Sequence, residues 1–145
     1  QVLFQTGDTT VISRLLEGEF INYKQLLPTE YKTKIALKTE HLLDACERAA
    51  LFARDSNNSI KFEVYDDIMN IKSNSDNGDV HEEVKISKNG EDIEIAFNPK
   101  YLIDALRVIG RDEITIEFTT SVSPSIIKPA KDSGFLYLIL PVRRR

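Results

Sequence analysis

Two stretches of the chain place apolar residues at helical spacing, and each lies between runs in which apolar and polar residues alternate. In the first stretch Leu42, Ala45, Cys46 and Ala49 fall at i, i+3, i+4 and i+7; in the second, Leu102, Ala105, Leu106 and Ile109 repeat the pattern sixty residues on. That spacing gathers each set on one face of a helix. The likeness extends upstream, since residues 35–45 and 95–105 match at five of eleven positions. Both copies run an alternating strand into a helix start, and the fixed offset marks an internal repeat. Thr39 and Asn98 are predicted N-caps, and Pro99 stands where a helix tolerates proline. Gly110 is the predicted stop of the second helix, and Ser56-Asn57-Asn58 supplies a turn after the first.

Alternation resumes after each helix, at Ile60 to Val64 and at Ile114 to Phe118. Further strands are predicted at Ile68 to Lys72, Glu82 to Lys88, Ser125 to Lys128 and Phe135 to Val142, with polar turns at 74–79 and 131–134. The unit is strand, helix, three strands, used twice. Its predicted fold class is α+β. Two adjacent helices against a mostly antiparallel sheet, related by an approximate two-fold axis, bury both apolar stripes economically. Ahead of the repeat, Val2 to Thr6 and Thr9 to Leu16 read as a hairpin around Gly7-Asp8. A lone two-stranded hairpin is marginal in water, so residues 1–19 are expected to be an edge that belongs to a neighbouring sheet.

The 145 residues are 41% hydrophobic and 29% charged with six Gly and five Pro, the make-up of a globular domain and not of a disordered or low-complexity chain. One Cys closes no internal disulfide and no Cys or His has zinc-ligand spacing, so no metal or cofactor is expected and the cytoplasm is the default compartment. Phe135 to Val142, the longest apolar run, is interrupted by Pro141 and falls far short of the ~20 residues of a membrane helix. A net charge of −4 argues against a wholly basic nucleic-acid binder while leaving room for a local positive stripe. Lys100, Asp104, Arg107 and Arg111 form such a stripe on the face away from Leu102 and Leu106. The matching face of the first helix carries Glu40, Asp44 and Glu47, flanked by Arg48 and Arg54. Leu51, nine residues past Leu42, points about 180° from the buried stripe and is apolar on the outer face.

No phosphate loop, zinc-protease motif, nucleophile elbow or Cys–His pairing is present. His41 and His81 read as surface residues, and Cys46 as a small core residue. The nearest catalytic pattern is Glu83-Val84-Lys85 with Asp66 or Asp67 upstream, a pattern loosely like that of metal-dependent nucleases. Charged residues alternating on the solvent side of a strand explain it better. A non-catalytic scaffold module without a DNA role is a third reading.

The run from Ile12 to Pro28, Ile-Ser-Arg-Leu-Leu-Glu-Gly-Glu-Phe-Ile-Asn-Tyr-Lys-Gln-Leu-Leu-Pro, closely resembles the junction between the second and third domains of the bacterial DNA polymerase III β subunit, the sliding clamp. Leu138-Ile139-Leu140-Pro141-Val142-Arg143 resembles that family's C-terminus. The resemblance covers essentially the whole chain. It implies the DNA clamp fold, three duplicated domains per subunit, and a head-to-tail homodimeric ring around duplex DNA. Residues 1–19 would be the terminal hairpin of the second domain, 20–30 the interdomain junction and 31–145 the third domain, so that the chain is a fragment. The implied function is that of a non-catalytic processivity factor. Its partners would be double-stranded DNA, the catalytic subunit of DNA polymerase III, the clamp loader and other clamp-binding repair proteins.

The same resemblance implies three sets of residues. Lys100, Arg107, Arg111, Arg48 and Arg54 would face DNA, meeting phosphates without reading sequence. Leu51 and Phe52, which follow Arg48-Ala49-Ala50, would belong to the ring's dimer interface. Tyr23, Gln25 and Leu26 in the junction, with Leu138, Leu140, Pro141, Val142 and Arg143 at the end of the chain, would line a pocket for short peptides with apolar and aromatic anchors.

Overall fold

A computed structural model describes residues 1–53, 57–76, 78–110, 112–131 and 134–143. The predicted hairpin forms from β1 (Val2–Thr6) and β2 (Thr9–Ser13), which pair only with each other and leave Leu3, Phe4, Val11 and Ile12 exposed. A single 3-10 turn (Tyr23–Gln25) interrupts the segment that leads to the repeat. The first half of the repeat holds β3 (Thr33–Lys38), α1 (Thr39–Ala53), β4 (Ile60–Tyr65), β5 (Ile68–Ser75), β6 (Gly78–Lys85) and β7 (Ser87–Gly90). The second holds β8 (Ile93–Phe97), α2 (Pro99–Ile109), β9 (Glu113–Phe118), β10 (Ser125–Pro129) and β11 (Tyr137–Ile139).

The two halves exchange strands. One sheet runs β11-β10-β9-β3-β7 and the other β6-β5-β4-β8, so the strand that opens each half pairs with strands of the other half. The exchange keeps register: Leu37 stands opposite Ile114 and Ile35 opposite Ile116, as Phe97 stands opposite Ile60 and Ile95 opposite Phe62. Every pairing among the described residues is antiparallel. Period-two alternation sends these apolar residues inward from both sheets. There they meet the helix stripes in one continuous core that includes Leu42, Cys46, Leu102 and Leu106. The predicted single sheet is thus two sheets flanking a pair of adjacent helices, with α1 lying across β5 and β6 and beside α2.

Asn98 caps α2 as expected: its side chain accepts from the Lys100 N–H at 3.0 Å, Pro99 is the first helical residue, and Gly110 closes the helix at φ +55°. Thr39 does not cap α1. It is itself the first helical residue, aligned with Pro99, and its buried hydroxyl has no partner while its N–H donates to the Asp112 carbonyl at 2.9 Å. The predicted strand Glu82 to Lys88 divides at Ile86, whose N–H turns to the Asp67 carbonyl, and the chain passes there from one sheet to the other. The predicted strand Phe135 to Val142 is shorter. Its ladder with β10 spans only Tyr137 to Ile139, Pro141 has no N–H to offer, and the Val142 N–H donates instead to the Ala96 carbonyl of β8 at 2.8 Å.

On the outer faces the repeat is written in charge. Glu117 is held by Lys34 (3.1 Å) and Lys128 (2.8 Å), and Glu63, at the matching position in β4, by Lys61 (2.9 Å) and Lys72 (2.7 Å). Burial pushes the Glu117 carboxyl up, yet hydrogen bonds from Lys128 and Lys34 outweigh it and hold the group below the ordinary carboxylate range.

Candidate functional site

The phase of α2, fixed by its two caps, turns Lys100, Asp104 and Arg107 to solvent. Arg107 Nη2 donates to Glu47 Oε1 of α1 at 2.8 Å. Arg48 is committed elsewhere: its Nε and Nη2 make a two-pronged contact with the Glu82 carboxylate on β6 at 2.8 and 2.7 Å. That hydrogen bond raises the Arg48 pKa, and the same contact lowers that of Glu82. Lys100 makes no ion pair among the described residues. Arg54 and Arg111 lie outside them. Glu40, Asp44 and Asp104 add exposed carboxylates to the same helix pair. The described part of the face is therefore mixed in charge, with two of its three cations already paired.

A groove of about 570 Å³ opens between α2 and the end of the chain, walled by Tyr101, Asp104 and Val108 on one side and Tyr137, Leu138 and Leu140 on the other. Two of the eight residues expected in a peptide pocket, Leu138 and Leu140, line it. Pro141, Val142 and Arg143 follow immediately, pinned through the Val142 bond to β8. Tyr23 and Gln25 sit on the 3-10 turn, Leu26 closes it through its N–H to the Tyr23 carbonyl, and none of the three lines this groove. The segment after them, Pro28 to Tyr31, instead borders a hollow of about 180 Å³ with Glu117, Ile126 and Lys128 on the outer sheet face. Ile126 stands opposite Leu138 in the β10–β11 ladder, so the junction and the terminal strand approach the same sheet corner from two sides.

Tyr101 and Val108 were not anticipated. They are 60% and 70% exposed, and they flank the buried Ala105 at i, i+4 and i+7, so that they widen the apolar stripe toward solvent. The signal was present in the spacing but interleaved with Lys100, Asp104 and Arg107. An exposed aromatic, an exposed aliphatic and an adjoining edge strand are what an anchor peptide needs.

Leu51 emerges from α1 at 65% exposure, as its helical phase predicts. Phe52 is half-buried, its ring lying over Gly78, where a built Cβ would come within 3.6 Å of it. Gly78 opens β6, the outer strand of the four-stranded sheet, whose far side has no neighbour among the described residues. Leu51 and Phe52 thus stand beside an open sheet edge. Glu83 and Lys85 project from β6 into solvent, Glu83 opposite Asn70. Among the described residues no three His, Cys, Asp or Glu side chains gather where they could hold a metal ion. No helix there is long and apolar enough to cross a membrane.

Comparison with known proteins bears on the family and the fold. Residues 24–143 match the family model of the DNA polymerase III beta subunit, C-terminal domain. The beta sliding clamp of Staphylococcus aureus is 40% identical over 99% of this chain, which spans 39% of that relative's length. The crystal structure of the DNA polymerase III beta subunit from Thermotoga maritima superposes with a TM-score of 0.94 at 37% identity, over 99% of this chain and 39% of that one. The DNA polymerase sliding clamp from Bacillus subtilis gives 0.91 at 36% identity, with the same coverage. The exchanged, register-matched repeat is thus a clamp fold, and the chain belongs to the family of the DNA polymerase III beta subunit, whose C-terminal domain residues 24–143 match.

Proposed function

We propose that this chain is one wedge of a non-catalytic ring that encircles duplex DNA in the cytoplasm and tethers the replicative polymerase to it. Residues 31–145 act as the third domain, 20–30 as the junction, and 1–19 as the last hairpin of the domain before it. The mechanism is topological. A polymerase bound to a closed ring leaves DNA only when the ring opens or the bond to the ring breaks, so processivity requires no tight grip on the duplex. Contacts to DNA come from Lys100, Arg107, Arg111, Arg48 and Arg54, are non-specific, and fall away with salt.

Leu51 and Phe52, beside the open edge of β6, join this domain to a second copy head to tail. The groove at Tyr101, Leu138 and Leu140, extended by Pro141, Val142 and Arg143 and by Tyr23, Gln25 and Leu26 across the corner, takes anchor peptides. Those peptides come from the polymerase III catalytic subunit, the clamp loader and repair proteins.

Family membership, in a chain that spans 39% of its relatives' length, is the observation that carries the reading. Its test uses the full-length protein. Leu51→Ser, and separately Leu51→Ser with Phe52→Ser, should convert dimer to monomer in sedimentation and abolish long primer extension together. A dimer that persists in both variants would remove the interface from the reading, and long extension by a proven monomer would remove the ring.

A further inference from the structure

Glu47 occupies in α1 the position that Arg107 occupies in α2, sixty residues apart, so the approximate two-fold axis brings the two side chains together across the helix pair. The bond is 2.8 Å long, and the two side chains keep 61% (Arg107) and 42% (Glu47) of their exposure. An exposed pair of this kind is weak and screened by salt. A phosphate that approaches Arg107 therefore competes with Glu47, which holds only Nη2 of an otherwise open guanidinium. We infer that Glu47 is a positioning residue that competes with the DNA backbone for Arg107 and keeps that contact brief. The inference rests on the DNA-facing reading of α2. It adds a reason for an acidic side chain on a wall that meets a polyanion: a cation with a partner in reserve is released without being left bare, and a ring that slides needs such release.

The 145-residue chain and a short duplex of arbitrary sequence suffice for the test, by fluorescence anisotropy between about 20 and 200 mM salt, where each phosphate contact contributes roughly −0.9 to the slope of log K against log salt. Glu47→Ala should tighten binding roughly two- to fivefold, the strength of an exposed pair, and steepen the slope by about one contact. Asp44→Ala removes an equal charge from an exposed position on the same helix that forms no ion pair among the described residues, and should do less and leave the slope alone. In an Arg107→Gln background Glu47→Ala should do no more than Asp44→Ala. If Arg107→Gln weakens binding yet Glu47→Ala merely matches Asp44→Ala, or fails to tighten binding, Glu47 is not a competitor and the DNA-facing reading stands without it. If Arg107→Gln has no effect, or the chain binds no duplex at the lowest salt, the DNA-facing reading of Arg107 falls and the inference with it.

Discussion

The carbonyl oxygen of Lys32 lies where a side chain on Gly90 would begin: a Cβ built on Gly90 would stand 2.0 Å from it, at a backbone φ of +115°. Next to this crossing, Thr33 Oγ1 donates to the Glu91 carbonyl at 2.7 Å, which ties the end of β7 to the start of β3. Both the left-handed conformation and the close approach require glycine. Gly90→Ala is expected to lower the free energy of unfolding by about 2–4 kcal/mol, measured by urea denaturation. A loss under about 0.5 kcal/mol, the range of neutral surface changes, would mean that the crossing relaxes freely.

Cys46 lies in the apolar stripe of α1, fully buried, and burial drives its thiol far above the ordinary range. The thiolate is the reactive form. In the native protein at pH 8, Cys46 should resist a thiol reagent that labels it at once in denaturant. Prompt native labelling would show that α1 lifts from β5 and β6 far more often than a continuous core allows.

Glu117, with a side chain 11% exposed between Lys34 and Lys128, has a carboxyl held below the ordinary value. Folding therefore favours its charged form. The stabilisation is complete above the unfolded-state pKa and is lost as pH falls below that value and through the lower folded one. Glu117→Gln should cost about 1–2 kcal/mol at pH 7, and the gap between variant and parent should shrink as the pH drops below about 4. A gap that stays constant from pH 7 to pH 3 would show that the two lysines do not recognise the charge.

Much of this was legible in the chain. Helix stripes, the exposed Leu51, the Asn98 cap and the Gly110 stop are local, and a period or a cap residue reports them directly. The exchange of β3 and β8 between halves was not legible, because alternation tells which face of a strand is buried and not which strand lies beside it. Ile86 reads as one more inward residue of a strand, although it is where the chain changes sheets. The cap expected at Thr39 falls one residue late, since Lys38, and not Thr39, aligns with Asn98. At the candidate site, the charge stripe on α2 was visible, whereas its pairing with Glu47 was not, since α1 and α2 are brought together only by the core. Tyr101 and Val108 were hidden among those charges.

The groove offers a sharper mutational contrast than the junction does. In the full-length protein, Tyr101→Ala and Leu140→Ala should each weaken binding of an anchor peptide roughly tenfold, about 1.4 kcal/mol, by isothermal titration. Ile68→Ala, exposed on β5 of the other sheet, should leave the affinity unchanged. Equal, small effects at all three positions would place the peptide elsewhere.

Enclosure of DNA is the claim on which the functional account turns, and it has a direct readout. Full-length protein loaded onto a nicked circular duplex and washed in high salt should remain bound, and a single cut that linearises the circle should release it within minutes. Loss from circle and line at the same rate, or retention on both, would mean that the protein holds DNA by contact and not by encirclement.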